Sequence, residues 1–281
     1  MNQLDGVLVL LFVAAFGAGL LGSLVGLGGG VLIVALLTIG FHLDIRLAVG
    51  ASIVSVIATS SGAGAALVRD RLTNVRIATL LQVATTLGAV GGALLAPYVS
   101  ERALFLLFGT LLLLTTAPTL RRGGQDTAPL TGSGQWAGRL RLAGSYPDRA
   151  HGGEIAYSAT NVPAGFALMA VAGIVSGLLG IGSGALKVLA MDTAMRLPIK
   201  VSTATSNFMI GVTAAASAGI YFWRGDILPF VAAPVALGVL AGAMIGARLL
   251  IRFRSVTVRT LFVVMLAIVA GEMILRGLGI A

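Results

Sequence analysis

The residue that first suggests chemistry is Lys187. It directly follows the charge-free run 155–186 and lies three residues past Gly184. A lysine deep in an apolar element costs about 2.5–3.5 kcal/mol on membrane-insertion scales, so a cavity or a partner must compensate it. Two glycine clusters stand out with it: Gly26-Leu27-Gly28-Gly29-Gly30, and Gly180-Ile181-Gly182-Ser183-Gly184 beside Lys187. A helix broken at glycine leaves backbone N–H groups unpaired at the start of its second leg. Such an end carries partial positive charge and favours an anion. Gly28, Gly29, Gly30, Gly182, Ser183, Gly184 and Lys187 are therefore the expected anion-binding set. Ser52, Thr205, Ser206 and Asn207 could add neutral donors to an oxyanion, and Gln82, Thr85 and Thr86 offer more. Close packing is the competing use of the glycines, above all in Gly22-x-x-x-Gly26, Gly88-x-x-x-Gly92 and Gly242-x-x-x-Gly246. Lys187 has bland alternatives too: snorkelling to an interface, or pairing with Asp192.

Other chemistries are excluded or disfavoured. The chain has no cysteine, which removes disulfides, thiolate metal sites and cysteine nucleophiles. His42 and His151 are isolated in loop-like positions and do not form a metal motif. Glu272 lies near a helix end, where a solvated carboxylate is expected. The glycines lack the following strand and acidic ribose partner of a dinucleotide fold. No nucleophile–base pair is recognisable, so an enzyme is not expected, and neither a cofactor nor a catalytic metal is implied. The net charge of +9 is not a nucleic-acid signature, because the charges fall in loops between apolar runs.

The elements that must position these residues are membrane helices. Of 281 residues, 57% are hydrophobic and 10% charged, with mean hydropathy +1.01. Soluble domains carry about 25% charged residues. Charge-free runs occur at 6–43, 47–68, 77–100, 103–120, 155–186, 201–223 and 227–247, with a weaker apolar segment near 256–275. A spanning helix needs about 20 apolar residues. The runs 6–43 and 155–186 are too long for one crossing, and each is expected to turn back at its glycine cluster.

The two clusters are 154 positions apart. At the same spacing Gly19 meets Gly173, Ser52 meets Ser206, Gly88-Ala89 meets Gly242-Ala243, and Gly92-Ala93 meets Gly246-Ala247. The expected fold is an all-α integral membrane protein of two inverted-topology repeats, each a broken-helix hairpin plus three transmembrane helices. Residues 1–120 form the first repeat and 161–281 the second. Residues 121–160, rich in Arg and Gly, form a polar, mobile cytoplasmic linker. Loop Lys and Arg then divide fourteen inside to four outside, as the positive-inside rule requires. Both termini fall outside.

With the glycine hairpins, the Thr205-Ser206 pair, the paired Gly-Ala motifs and the eight-segment layout, the chain resembles the sulfite exporter family TauE/SafE. The resemblance implies a multi-pass permease of the bacterial inner membrane that exports small sulfur-containing anions, such as sulfite or organosulfonates. Alternating access between inverted halves is the expected mechanism. An anion channel of the same fold and a permease for another small organic anion are the alternatives. The implied partners are a small anionic substrate and the lipid bilayer, with a homodimer and coupling to protons or an ion gradient compatible with the layout.

Overall fold

A computed structural model describes residues 2–25, 29–69, 72–121, 135–148, 153–249 and 255–280. The chain is mostly helical. Helix α1 (Asn2–Val25) leads to α2 (Gly30–Ala35), which continues as a π-helical turn, Leu36–Gly40. Then come α3 (Ile45–Arg69), α4 (Val75–Leu95) and α5 (Glu101–Arg121). After a short α6 (Gln135–Arg139) and strands β1 (Gly144–Asp148) and β2 (Gly153–Tyr157), the helices resume. They are α7 (Val162–Leu179), α8 (Gly184–Thr193), α9 (Ile199–Trp223), α10 (Pro229–Leu249) and α11 (Ser255–Leu278).

Helices α2 to α5 begin at Gly30, Ile45, Val75 and Glu101; α8 to α11 begin at Gly184, Ile199, Pro229 and Ser255. Every pair is 154 positions apart. The packing repeats as well. Helix α1 packs on α10 as α7 packs on α4, α10 packs on α3 as α4 packs on α9, and α3–α9 and α5–α11 are pairs across the middle. Side chains follow the same rule: Ser52 Oγ donates to the Gly30 carbonyl at 3.0 Å, and Ser206 Oγ to that of Gly184 at 3.0 Å. Glycine lets the helix pairs touch through their backbones. A Cβ on Gly173 would strike the Thr85 backbone, and one on Gly19 would strike that of Val239.

Local sequence explains where several helices start. The Asn74 side chain accepts from Ile77 N at 3.1 Å and caps α4. Asp44 does the same for α3 by accepting from Arg46 N at 2.7 Å. Proline stands at the first turn of α7 and of α10, where its missing N–H costs nothing. Val75–Tyr98 and Val162–Leu179 are long and apolar enough to cross a bilayer. Gly6–Gly22, Gly30–Gly40, Ile45–Ser61 and Pro229–Ile245 are shorter apolar helical segments. Exposed Leu87, Leu94, Val171, Leu237 and Ile268 give the outside of the bundle an apolar coat.

Two expectations need correction. The fold is not all-α, and part of the 121–160 segment is built rather than mobile. Strands β1 and β2 pair antiparallel, from Gly144 opposite Tyr157 to Asp148 opposite Gly153. With α6 they form a cap, whose Ala137, Leu142, Tyr146 and Tyr157 are buried against Ile77, Leu81, Met191, Met195 and Met209. Asn74 Nδ2 donates to Tyr157 Oη at 3.0 Å and Arg76 to the Arg141 carbonyl at 3.2 Å. The Lys200 ammonium lies 6.0 Å from the Tyr146 ring centre. The Arg/Gly composition hid these two tyrosines, which supply the apolar area that a mobile linker lacks.

Candidate anion site

The second glycine hairpin is built by three left-handed residues within four positions, one of them not glycine. Helix α7 ends at Gly180, with φ +64°; Gly182 follows at +72° and Ser183 at +44°. Glycine tolerates this region freely, whereas serine does not. The Gly177 and Leu178 carbonyls at the end of α7 accept from Tyr221 Oη at 2.7 and 3.2 Å. Helix α8 opens with Ser183 as its N-cap, but no side-chain cap bond forms, and Ser183 Oγ is buried without a partner. The first intrahelical bond runs from Lys187 N to Ser183 O at 3.0 Å. The N–H groups of residues 184–186 therefore precede the helical ladder.

Lys187 is fully buried. Its Nζ donates to Thr213 Oγ1 at 2.7 Å, not to Asp192. Among the described residues no carboxylate forms an ion pair with it. Thr213 in turn donates to the Met209 carbonyl at 2.8 Å. Gln82, on α4, sends its amide nitrogen to Thr213 Oγ1 at 3.1 Å and to Thr86 Oγ1 at 2.8 Å. One cation and three neutral side chains from α4, α8 and α9 thus form a single polar cluster in an apolar interior.

The depth of the cluster follows from register. Thr73, Asn74, Gln82 and Ala93 each bond to the residue 131 positions later, so α4 and α9 run parallel along their length. At 1.5 Å per residue, Gln82 lies about 12 Å from Asn74 and about 17 Å from Ala93. That is mid-depth for a hydrocarbon layer of about 30 Å. One turn towards the cap on each helix lie Ala78, Met191 and Met209, all in the buried apolar cluster that includes Tyr146 and Tyr157. The cap therefore closes that end of the polar cluster.

The expected site residues fall into two groups. Lys187, Gln82 and Thr86 come together, and Thr213, which sequence reasoning missed, joins them. Ser52, Thr205 and Ser206 are structural tethers. The Ser52 hydroxyl lies 3.0 Å from the Gly30 carbonyl and 3.1 Å from that of Gly180, so it touches both hairpins. Thr205 Oγ1 accepts from Asn74 N at 3.2 Å. Asn207 is half-buried, and its carbonyl accepts from Ser60 Oγ at 2.8 Å. Thr85 donates into its own helix. Gly29 is left-handed at φ +70°, and a Cβ on Gly30 would come 3.4 Å from Ile181 Cα, so the two hairpins adjoin. Gly28 lies outside the described residues, as does His151. Among the described residues no group of three or more His, Cys, Asp or Glu could hold a metal.

The sequence did carry a signal for this cluster. At the 154-residue spacing, Lys187 corresponds to Ile33, Gln82 to Ala236, Thr86 to Leu240 and Thr213 to Thr59. Three of four positions change from apolar to polar together, on one side only. A packing requirement common to both halves does not explain that.

The profile of the sulfite exporter TauE/SafE family matches residues 11–273. The chain belongs to that family. It is also similar to the probable membrane transporter protein YunE of Bacillus subtilis (strain 168), with 24% identity over 277 residues, covering 96% of this chain and 98% of the relative. No solved structure matches. As a TauE/SafE member the protein is a membrane-embedded transporter and not an enzyme.

Proposed function

We propose that this TauE/SafE protein exports small sulfur-containing anions, such as sulfite or organosulfonates, across the bacterial inner membrane as a multi-pass secondary transporter. Residues 1–120 and 161–281 act as two inverted-topology halves joined by the 121–160 cytoplasmic segment, with both termini outside. The repeated element spacing and the two-way packing pattern support this reading. Inverted repeats meeting at broken helices near mid-depth are a common frame for alternating access.

The observation that carries the proposal is the complete burial of Lys187 with no carboxylate partner among the described residues. Lys187 balances one negative charge. Ser183 Oγ and the N–H groups at the start of α8 supply directed donors to the anion's oxygens, while Thr213, whose proton goes to the Met209 carbonyl, holds the Lys187 ammonium in place. Gly182 and Gly184 let the turn pack directly against Ile210, where a Cβ would collide. Gly29 and Gly30 bring the matching turn of the first half, with Ile33 where the second half has Lys187. Ser52, Thr205, Ser206 and Asn207 hold the frame. A single cation suits a monoanion and leaves release easy.

The test is flux in proteoliposomes of the purified protein, with sulfite, a small aminosulfonate, sulfate and chloride compared side by side. Saturable flux of sulfite or the sulfonate, well above that of sulfate and chloride, is the expected result. Non-saturating chloride flux would replace the carrier with a channel. Orientation is tested separately in this cysteine-free chain: Gln135→Cys should resist a membrane-impermeant thiol label applied to intact cells. Labelling from outside would refute the inverted arrangement as drawn.

A further inference from the structure

We infer that the carboxamide oxygen of Gln82 is a selectivity group: it accepts a hydrogen bond from a hydroxyl or ammonium group that the transported anion carries next to its charged oxygens. The inference rests on the Lys187 anion site proposed above and narrows the substrate class to donor-bearing small anions.

The hydrogen-bond inventory around Thr213 fixes the amide. A threonine hydroxyl has one proton and two lone pairs. The Thr213 proton goes to the Met209 carbonyl at 2.8 Å, and its oxygen receives Lys187 Nζ at 2.7 Å and Gln82 at 3.1 Å. Gln82 turns its NH2 towards Thr213 in this arrangement. In the reverse orientation Thr213 would have to give up its bond to the Met209 carbonyl, and the Gln82 NH2 would take the position that has no partner. The same NH2 also serves Thr86 at 2.8 Å, so both of its hydrogens are used. What remains is Gln82 Oε1, which is buried and has no hydrogen-bond partner.

A buried acceptor without a donor is unfavourable, and native interiors rarely keep one without a use. Here it lies at mid-depth, one shared oxygen away from the Lys187 ammonium. A fully deprotonated, donor-free anion would meet repulsion from Oε1 while it approached Lys187. An anion with an O–H or N–H beside its charged end would satisfy both groups at once. The equivalent position in the other half is Ala236, so the acceptor is not a requirement of the repeated fold. Sites built to hydrogen-bond a substrate O–H or N–H discriminate strongly against analogues that lack it, because the site's own polar group is then left unpaired.

Three probes on the same two-carbon sulfonate frame test this in proteoliposomes: ethanesulfonate, 2-hydroxyethanesulfonate and 2-aminoethanesulfonate. The parent protein should move the two donor-bearing probes with kcat/KM about tenfold or more above ethanesulfonate. Gln82→Met should bring that ratio to about one, whatever it does to absolute flux. Equal kcat/KM for the three probes in the parent overturns the role of Gln82, and this comparison needs no variant. A preference that survives Gln82→Met overturns it as well. Absence of flux for all three while sulfite is still carried overturns the role of Gln82, whereas absence of sulfite flux as well overturns the anion-transport reading itself, which separates the two failures.

Discussion

Replacing Gly173 by alanine should damage both stability and transport through a single backbone collision. The added Cβ would stand 2.9 Å from Thr85 Cα and 3.0 Å from its carbonyl carbon, and closer still to the carbonyl oxygen. Carbon atoms in comfortable contact are about 3.5–4.0 Å apart. Backbone cannot rotate out of the way, so α7 and α4 must part by roughly 0.5–1 Å. Overpacking of this kind costs about 1–3 kcal/mol. The displacement also reaches the polar cluster. Thr85 lies one turn from Gln82, whose bond to Thr213 is already 3.1 Å long. Pulling α4 away stretches that bond beyond useful length. The assays are thermal unfolding in lipid nanodiscs and flux in proteoliposomes. Gly91→Ala, on the partner helix α4, is the control, because its Cβ would meet nothing within 4 Å. It should be neutral, or stabilise the helix by about 0.5–1 kcal/mol. Gly173→Ala as stable as the parent, or a matching loss in Gly91→Ala, would refute this packing argument.

The cap and the outer loop give two further expectations. Tyr157→Phe removes the acceptor for Asn74 Nδ2 at 3.0 Å and should loosen the cap by about 1 kcal/mol, seen as faster amide exchange over 144–157 while α4 keeps its Asn74 cap. At the other end, burial raises the Asp226 carboxyl above its ordinary range, although Arg224 at 2.9 Å and Arg46 pull it down. The folded state therefore holds this proton more tightly than the unfolded chain. Its contribution is complete below the unfolded value of about 3.9 and is lost as pH rises through the raised folded value. Unfolding temperatures across mildly acidic pH should show that decline in the parent, and Asp226→Asn should flatten it.

The repeat was legible because glycine hairpins and Gly-Ala helix contacts depend on short local patterns that copy faithfully at a fixed spacing. Lys187 was legible because a charge in an apolar run is rare at any depth. Its partners were harder to see. Gln82 and Thr86 share a helix face at i and i+4, but which neighbour that face meets depends on the rotation and register of α4 against α9, and those are set by the whole bundle. Thr213 looked like one more hydroxyl in an Ala-rich helix. The hydroxyls of Ser52, Thr205 and Ser206 drew attention as donors, yet nearby backbone groups use them first, as is common for such residues between membrane helices. The cap was concealed for a different reason. Short strands of five residues, with one tyrosine apiece facing the bundle, leave too weak an alternation to stand out from Gly and Arg neighbours.

The charge on Lys187 is the central claim, and Lys187→Met tests it most directly. Methionine keeps most of the side-chain volume, lets Thr213 retain its bond to Met209, and removes the ammonium. The measurement is saturable sulfite and sulfonate flux in proteoliposomes, normalised to protein that is inserted and folded. Lys187→Met should lose nearly all of that flux, and Lys187→Arg should keep a part of it, because the guanidinium carries the charge with a different donor geometry. Flux through Lys187→Met equal to the parent's would contradict the anion site.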